Sequence, residues 1–495
     1  MVRPVPVGRP WQGVEVTSPP SGPPRSGPPG FSRALAVLVA GTFFMENLDA
    51  TIIAPAAPAI AADLGVQPVQ INVAMTAYLL TVAVLIPASG WLADRFGARG
   101  VFVLAISVFT LASVGCAFAP TLGVLTVARV AQGVGGAMMV PVGRLVVLRS
   151  TAKTDLIKAI AYLTWPALVA PVLAPPLGGF LSEFASWRWI FLINVPLGVV
   201  GLFFALRLVP DVRSARRRRL DWRGFCMTAV GVAALVIGLE GIGTGQIGTG
   251  PNLAFIAIAL GTAALVLAAD IGYLLQSREP LLDLRTLKIH SLRAAVAGGT
   301  VFRLVISAIP FLLPLFFQIG FGWTAAAAGG MVIALFAGNV GIKPLTTPLM
   351  RALGIRTVLL IALGMSVVGL VAMAFLRPST PLTVIVIVLA VSGVFRSVGF
   401  SAYNSMAFAD VPAARMTHAN TLHATLQELG AGLGIAIGAL LVRVGDPVGA
   451  ALGLADDPGT PYRVAFVLLG VIMLVPLVEA VLMSPDAGRS VTGRR

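Results

Sequence analysis

Fourteen apolar runs, each close to twenty residues long, divide this chain from residue 35 to residue 483. They fall at 35–58, 71–92, 101–119, 122–147, 157–181, 189–208, 224–243, 253–274, 294–318, 325–345, 357–376, 382–403, 424–442 and 464–483. A bilayer core about 30 Å thick needs about 20 apolar residues per helix, so each run is long enough to span. Of the 495 residues, 57% are hydrophobic and 11% are charged. An ordinary soluble protein carries roughly 25% charged residues, and a single soluble core stops growing near 250–300 residues. A soluble enzyme, a nucleic-acid binder and a disordered scaffold are all excluded on this basis. The expected fold class is an all-α membrane protein of fourteen transmembrane helices.

The net charge of +15 is explained by where the basic residues sit. An even number of spans places both termini on one side. Of the 35 basic residues, 27 lie in the two tails and in every second connection, including the run Arg216 to Arg219. The opposite connections hold only Arg188, Arg377, Arg443 and Arg463, and Arg129, Arg144, Arg303 and Arg396 lie inside spans. This is the positive-inside pattern, so both termini are expected in the cytoplasm of a multi-pass protein of the cytoplasmic membrane. The arginine run then reads as a topology anchor beside anionic lipid, not as a nucleic-acid patch.

Residues 1–34 hold a Pro- and Gly-rich stretch without an apolar run and read as a disordered cytoplasmic tail. Long basic connections after spans six and eight suggest a six–two–six division. Residues 35–208 form a first six-helix bundle, and 209–292 hold a basic loop, two extra spans and a following loop. Residues 293–484 form a second six-helix bundle, and 485–495 a cytoplasmic tail. A short internal repeat supports this division. Gly90, Asp94, Gly97 and Arg99 follow span two, while Arg351, Gly354 and Arg356 follow span ten. Aligning Gly97 with Gly354 also aligns Arg99 with Arg356, and places Arg351 opposite Asp94. Two six-helix bundles with a site between them is the architecture of an alternating-access transporter.

Ionisable groups deep in a bilayer cost about 2.5–3.5 kcal/mol each on insertion scales, so each needs a reason. Glu46 and Asp49 lie roughly 16 and 21 Å from the cytoplasmic end of span one at 1.5 Å per residue. Three residues apart, they share a face. Arg129 lies roughly 10 Å from the outer end of span four, at nearly the depth of Asp49. Arg303 sits near the middle of span nine. Glu240, Asp270, Glu428 and Glu479 fall near span ends and read as interfacial. A carboxylate in a dry cavity beside an arginine can switch protonation as water gains or loses access, so Asp49, Glu46 and Arg129 are the candidate proton-coupling residues. A structural ion pair between Asp49 and Arg129 is the competing reading. Cys116 and Cys226 lie in apolar runs and read as small buried hydrophobes. His290, His418 and His423 lack ligand spacing, so no metal site is expected. No phosphate-loop motif for ATP occurs, and no cofactor is expected beyond the proton gradient as energy source.

These residues resemble the major facilitator superfamily, specifically its fourteen-span drug:proton antiporters, over about residues 35–483. Gly90, Asp94, Arg95, Gly97 and Arg99 resemble the superfamily's cytoplasmic gate motif. Arg129, Gln132, Gly133, Gly135 and Gly136 resemble its fourth-helix motif, whose arginine the resemblance implicates in proton coupling. Glu46 to Ile53 is similar to the first-helix motif of fourteen-span drug exporters, and Trp187 to Gly198 and Asp221 to Gly224 are typical of them. Pro175, Gly178 and Gly179 match the fifth-helix antiporter motif, while Ala170 and Ala174 replace its usual glycines. The Gly pair would permit close helix packing. Stretches from Phe302 to Pro314, Gly338 to Thr347 and Ala409 to Met416 are similar to one subgroup.

The resemblance implies a monomer that uses the proton gradient to export drugs or other small amphipathic compounds by alternating access. Its partners would be the small-molecule substrate, protons and the lipid bilayer, with no nucleic acid. Asp94 would hold the gate by pairing with the positive N-terminal end of a helix in the second bundle. Polarity at depth nominates Asn47, Gln132, Gln318, Asn339 and Gln427 for the substrate cavity, with Asn72 beside them, Tyr78 and Trp165 as aromatic surfaces, and Arg303 as a contact for an anionic group or an ion-pair partner. An exporter of one specific metabolite is the alternative. A membrane sensor or scaffold fits less well, because no connection exceeds about 30 residues, too short for a soluble signalling domain.

Overall fold

The computed structural model describes residues 32–210, 219–243, 250–451 and 457–484. The amino-terminal tail up to residue 31, Arg216 to Arg218, the tail from residue 485 and the side chains of Pro175 and Glu240 lie outside the described residues.

The fold is helical throughout these residues. The spanning elements are α1 (Arg33–Leu64), α2 (Asn72–Phe96), α3 (Ala98–Ala117), α4 (Leu122–Arg149), α5 (Leu156–Phe184), α6 (Trp189–Leu208), α7 (Trp222–Gly243) and α8 (Gly250–Gln276). They continue as α9 (His290–Leu315), α10 (Ala325–Gly341), α11 (Ile355–Ala374), α12 (Leu382–Ala407), α13 (Met416–Ala451) and α14 (Thr460–Leu482). Thirteen of the described helices are long and apolar enough to cross a membrane. The remaining span, α10, is bent by 48° where it meets the short helix Lys343–Leu353, and counting that pair gives fourteen.

Local chemistry sets the boundaries. The Ser32 hydroxyl accepts the Leu35 N–H at the start of α1, and Thr121 and Thr324 do the same for α4 and α10. Gly65, at φ 65°, closes α1 in the left-handed conformation. The expected start of the thirteenth span at residue 424 is corrected to Met416. Its first two turns hold Thr417, Asn420, Thr421 and His423, which lower the local hydropathy. All four are buried, between 0% and 3% exposed, so the polar face meets protein and not lipid.

The two halves repeat each other. In the first, α1 packs on α5 and α2 on α4; in the second, α9 packs on α13 and α10 on α12. The aligned glycines Gly97 (φ 89°, ψ 134°) and Gly354 (φ 84°, ψ 155°) make the same turn, in a region that side chains rarely adopt. The aligned arginines do the same work. Arg99 donates to the Leu206 carbonyl at the end of α6, and Arg356 donates to the Val481 carbonyl at 2.8 Å at the end of α14. Each closes off a helix end whose carbonyls lack an in-helix partner.

The extra pair α7–α8 packs together and lies against α2 and α13, at the seam between the halves. Asp270, expected to be interfacial, is 3% exposed and accepts a hydrogen bond from Thr228 at 2.6 Å across that pair. Cys226, expected to be buried, is exposed on α7, whereas Cys116 is buried.

Candidate functional site

In the first half, α1 and α4 bring Asp49 and Arg129 together, 2.5 Å apart and each 1% exposed. The pair is closed by neighbours. Gln132, one turn from Arg129, accepts from its guanidinium at 2.6 Å and donates to Asp49 at 2.8 Å. Asn194 on α6 donates to the same Asp49 oxygen at 2.8 Å, and Ser113 on α3 accepts from Gln132 at 2.8 Å. The guanidinium also lies over the Tyr78 ring of α2, 4.1 Å from its centroid. Five helices thus converge on one carboxylate. The fourth-helix glycines let them approach: a Cβ on Gly135 would sit 2.7 Å from the Phe109 backbone of α3, and one on Gly133 would sit 2.8 Å from Thr81 of α2.

This geometry corrects two expectations. Tyr78 and Gln132, nominated for the substrate cavity, are 2% and 0% exposed and belong to the ion-pair cluster. It also adds Asn194 and Ser113. Asn194 lies in the Trp187–Gly198 stretch that was legible as a motif, but nothing in the sequence aimed it at Asp49. A buried ion pair is weak evidence for stability, since desolvating both charges offsets their attraction. Chemically, this one ties α1 to α4 through a single carboxylate–guanidinium contact.

A second group of charges lies between the halves. Glu428 is exposed although it is twelve residues inside α13, which corrects its expected place near a helix end. It acts electrostatically on Glu46 of α1, Arg144 of α4 and Arg303 of α9, so charges from four helices of both halves gather in one region. Glu46 lies between the two groups: it interacts electrostatically with Glu428 and Arg144 and also with Asp49 and Tyr78, without a hydrogen bond to the Asp49 pair. Arg144, Arg303 and Arg396 each keep a buried nitrogen without a hydrogen-bond partner, and lie over Phe43, Phe400 and Phe336 at 5.7, 5.3 and 5.5 Å.

The other nominated residues divide. Asn47 and Gln318 are turned onto their own helices, donating to the Phe43 carbonyl at 2.8 Å and the Pro314 carbonyl at 3.2 Å. Asn339 and Gln427 are buried with unpartnered amide atoms. Trp165, 49% exposed, lines a groove of about 710 Å³ on the seam, together with Lys158, Lys343 and Arg351. Lys343 is a residue that sequence reasoning counted only as a loop charge. It is 4% exposed and bridges the halves, donating to Thr164 at 3.2 Å and Ser401 at 2.7 Å.

The gate motif sits where α2 meets α13. Asp94 pairs with Arg149 at 2.9 Å and accepts from the Thr417 hydroxyl at 3.2 Å, in the first turn of α13. Arg149 donates to that hydroxyl as well. The expected partner was a helix N-terminus in the second half; the contact is made through its side chain. A Cβ on Gly90 would fall 2.2 Å from the Thr421 hydroxyl, so a larger residue there would push on the first turns of α13. Gly97 and Arg99 shape the turn as described above, and Arg95 is exposed. Across the seam, Arg351 donates to the Thr154 carbonyl at 3.0 Å and Asn420 donates to the Pro141 carbonyl at 2.9 Å. These contacts hold the halves together at the end rich in basic connections. In the fifth-helix motif, a Cβ on Gly178 would stand 2.6 Å from the Ile52 carbonyl, so this glycine lets α5 lie close to α1. Gly179 has nothing within 4 Å of that position, which corrects the expectation of a packing pair.

Comparison with known proteins places this geometry in a family. Over 422 residues the chain is 39% identical to "Putative multidrug resistance protein MdtD" of Escherichia fergusonii, covering 84% of this chain and 87% of that protein. Two solved structures share the fold at TM-score 0.62: the human organic anion transporter MFSD10 at 13% identity, covering 90% of this chain and 99% of that one, and the proton:xylose symporter XylE at 14%, covering 93% and 97%. At such identities the likeness speaks for fold alone. A match to the Major Facilitator Superfamily runs over residues 39–435. With a multi-pass helical fold, two repeated halves and this match, the chain belongs to the major facilitator superfamily of membrane transporters.

Proposed function

We propose that this transporter exports drugs or other small amphipathic organic compounds across the cytoplasmic membrane, driven by proton entry, as a monomer with both termini in the cytoplasm. The observation that carries the reading is the Asp49–Arg129 pair, 1% exposed and held by Gln132 and Asn194 in the first half. Protonating Asp49 removes its charge, frees Arg129 and alters how α1 and α4 hold each other. That is a local two-state element which proton access from one side can bias. Glu46 is a second carboxylate on the same helix, one turn from Asp49 and electrostatically linked to it.

The halves rock about the seam. In the conformation described, the contacts of Asp94, Arg149 and Arg351 close the basic end, which the reading assigns to the cytoplasm. Proton release to the cytoplasm restores the Asp49–Arg129 pair and resets the cycle. The test uses inside-out membrane vesicles carrying a preset pH gradient, reported by a quenched fluorescent amine, and a panel of amphipathic compounds. At least one compound should dissipate the gradient in vesicles with the transporter and not in empty ones. No effect from any compound across a broad panel would count against proton coupling.

A further inference from the structure

We infer that the second half holds an anion-binding site, in which Arg303 of α9 and Arg396 of α12 take the acid group of an amphipathic organic anion. The inference rests on the export reading and deepens it by naming the charge of the substrate.

Arg396 is 7% exposed, and one of its terminal nitrogens has no hydrogen-bond partner. Arg303 is half-buried and its Nε is likewise unpartnered. The charge acting on Arg396 is Arg303, another cation, and Arg303 is offset by Glu428, with no ion pair to either arginine among the described residues. Two guanidiniums thus stand near each other, one buried and one half-buried, with neither in an ion pair. An unpaired buried charge is costly, and the cost is recovered when an oxyanion enters. Guanidinium groups suit that task, because their fixed fork of donors matches the oxygens of carboxylates, sulfonates and phosphates.

Three residues flank the arginines. Asn339 of α10 is 1% exposed with both amide oxygen and nitrogen unpartnered, one turn from Phe336. Phe336 and Phe400 lie against Arg396 and Arg303, giving an apolar, aromatic wall beside the charge. An acid with an aromatic or apolar body fits both features. With the cell interior negative, an anion leaving the cell moves down the electrical gradient, which suits an exporter.

The test is binding to the full chain in lipid nanodiscs, by calorimetry, with two probes of matched shape and opposite charge: 2-naphthalenesulfonate and trimethyl(2-naphthyl)ammonium. The sulfonate should bind at least about tenfold tighter than the ammonium. Arg396→Gln should weaken the sulfonate by about tenfold or more and leave the ammonium unchanged, and Arg396→Lys should recover part of the loss. Arg303→Gln, at a half-buried position, should act in the same direction and covers the case in which the Arg396 variant does not fold. A wild-type preference for the ammonium, or sulfonate affinity unchanged in the glutamine variants, overturns the site. Nanodiscs carry no gradient, so absent proton coupling leaves this result standing. Proton-driven export of cations alone would sink the anion site and keep the export reading.

Discussion

The two halves of this transporter share a backbone plan and part company in how they treat buried charge. Arg303 stands thirteen positions into α9, just as Glu46 stands thirteen positions into α1. In the first half, the acid Asp49 on α1 meets Arg129 on α4 in an ion pair that Gln132 and Asn194 brace by hydrogen bonds, with the Arg129 Nε left unpartnered. In the second half, the corresponding helices α9 and α12 set an arginine beside an arginine, and both keep free donors. An acid paired with a base is suited to storing a conformation or a proton. Two cations without an ion-pair partner are suited to awaiting a ligand. The proposed division between coupling and binding rests on that contrast.

The largest effect should come from breaking the buried ion pair. Arg129→Ala strands Asp49 in a dry site, and removing one partner of a buried pair costs about 3–5 kcal/mol. Arg303→Ala removes no hydrogen bond and should cost less than about 1 kcal/mol. Thermal unfolding of the two variants in detergent would show whether the asymmetry is real; equal losses would break it. Next is Asn194→Ala, which removes one hydrogen bond to the Asp49 carboxylate, worth about 1.5–3 kcal/mol. The same measurement should rank it between the two arginine variants.

Gly97→Ala and Gly354→Ala test what the halves share. Both positions need a positive φ, and placing a side chain there costs of order 1–3 kcal/mol. The two losses should agree, since the turn is the same; a large difference would show that the repeat has drifted in energy as well as in sequence. The smallest stability changes belong to the gate. Asp94→Asn and Arg351→Gln each weaken a partly exposed contact, worth under about 1 kcal/mol. Their effect should appear in turnover instead, as slower transport by Asp94→Asn with substrate affinity retained. Unchanged turnover would remove Asp94 from the gate.

Much of the architecture was legible in the sequence because bilayer thickness fixes run length and topology fixes where basic residues lie. The repeat was legible from only a few residues because a positive-φ glycine and a helix-closing arginine leave little freedom at Gly97, Arg99, Gly354 and Arg356. Depth counting also placed Asp49 beside Arg129. It failed for Glu428, because the polar first turns of α13 face protein, and a hydropathy reading treats them as loop. It failed for Tyr78 and Gln132, because polarity at depth does not say whether a side chain faces an open space or another helix. Arg144, Arg396 and Lys343 were visible only as charges. Which of them have partners depends on side chains from distant helices, such as Thr164 and Ser401 around Lys343.

The central claim is that protonation of Asp49 couples export to the gradient. The direct measurement is compound-induced proton flux in proteoliposomes containing wild type or Asp49→Asn, with an imposed pH gradient and matched protein insertion. The account predicts that Asp49→Asn still folds, inserts and binds compound but moves no protons in response to it. Proton flux at the wild-type rate in that variant would contradict the account.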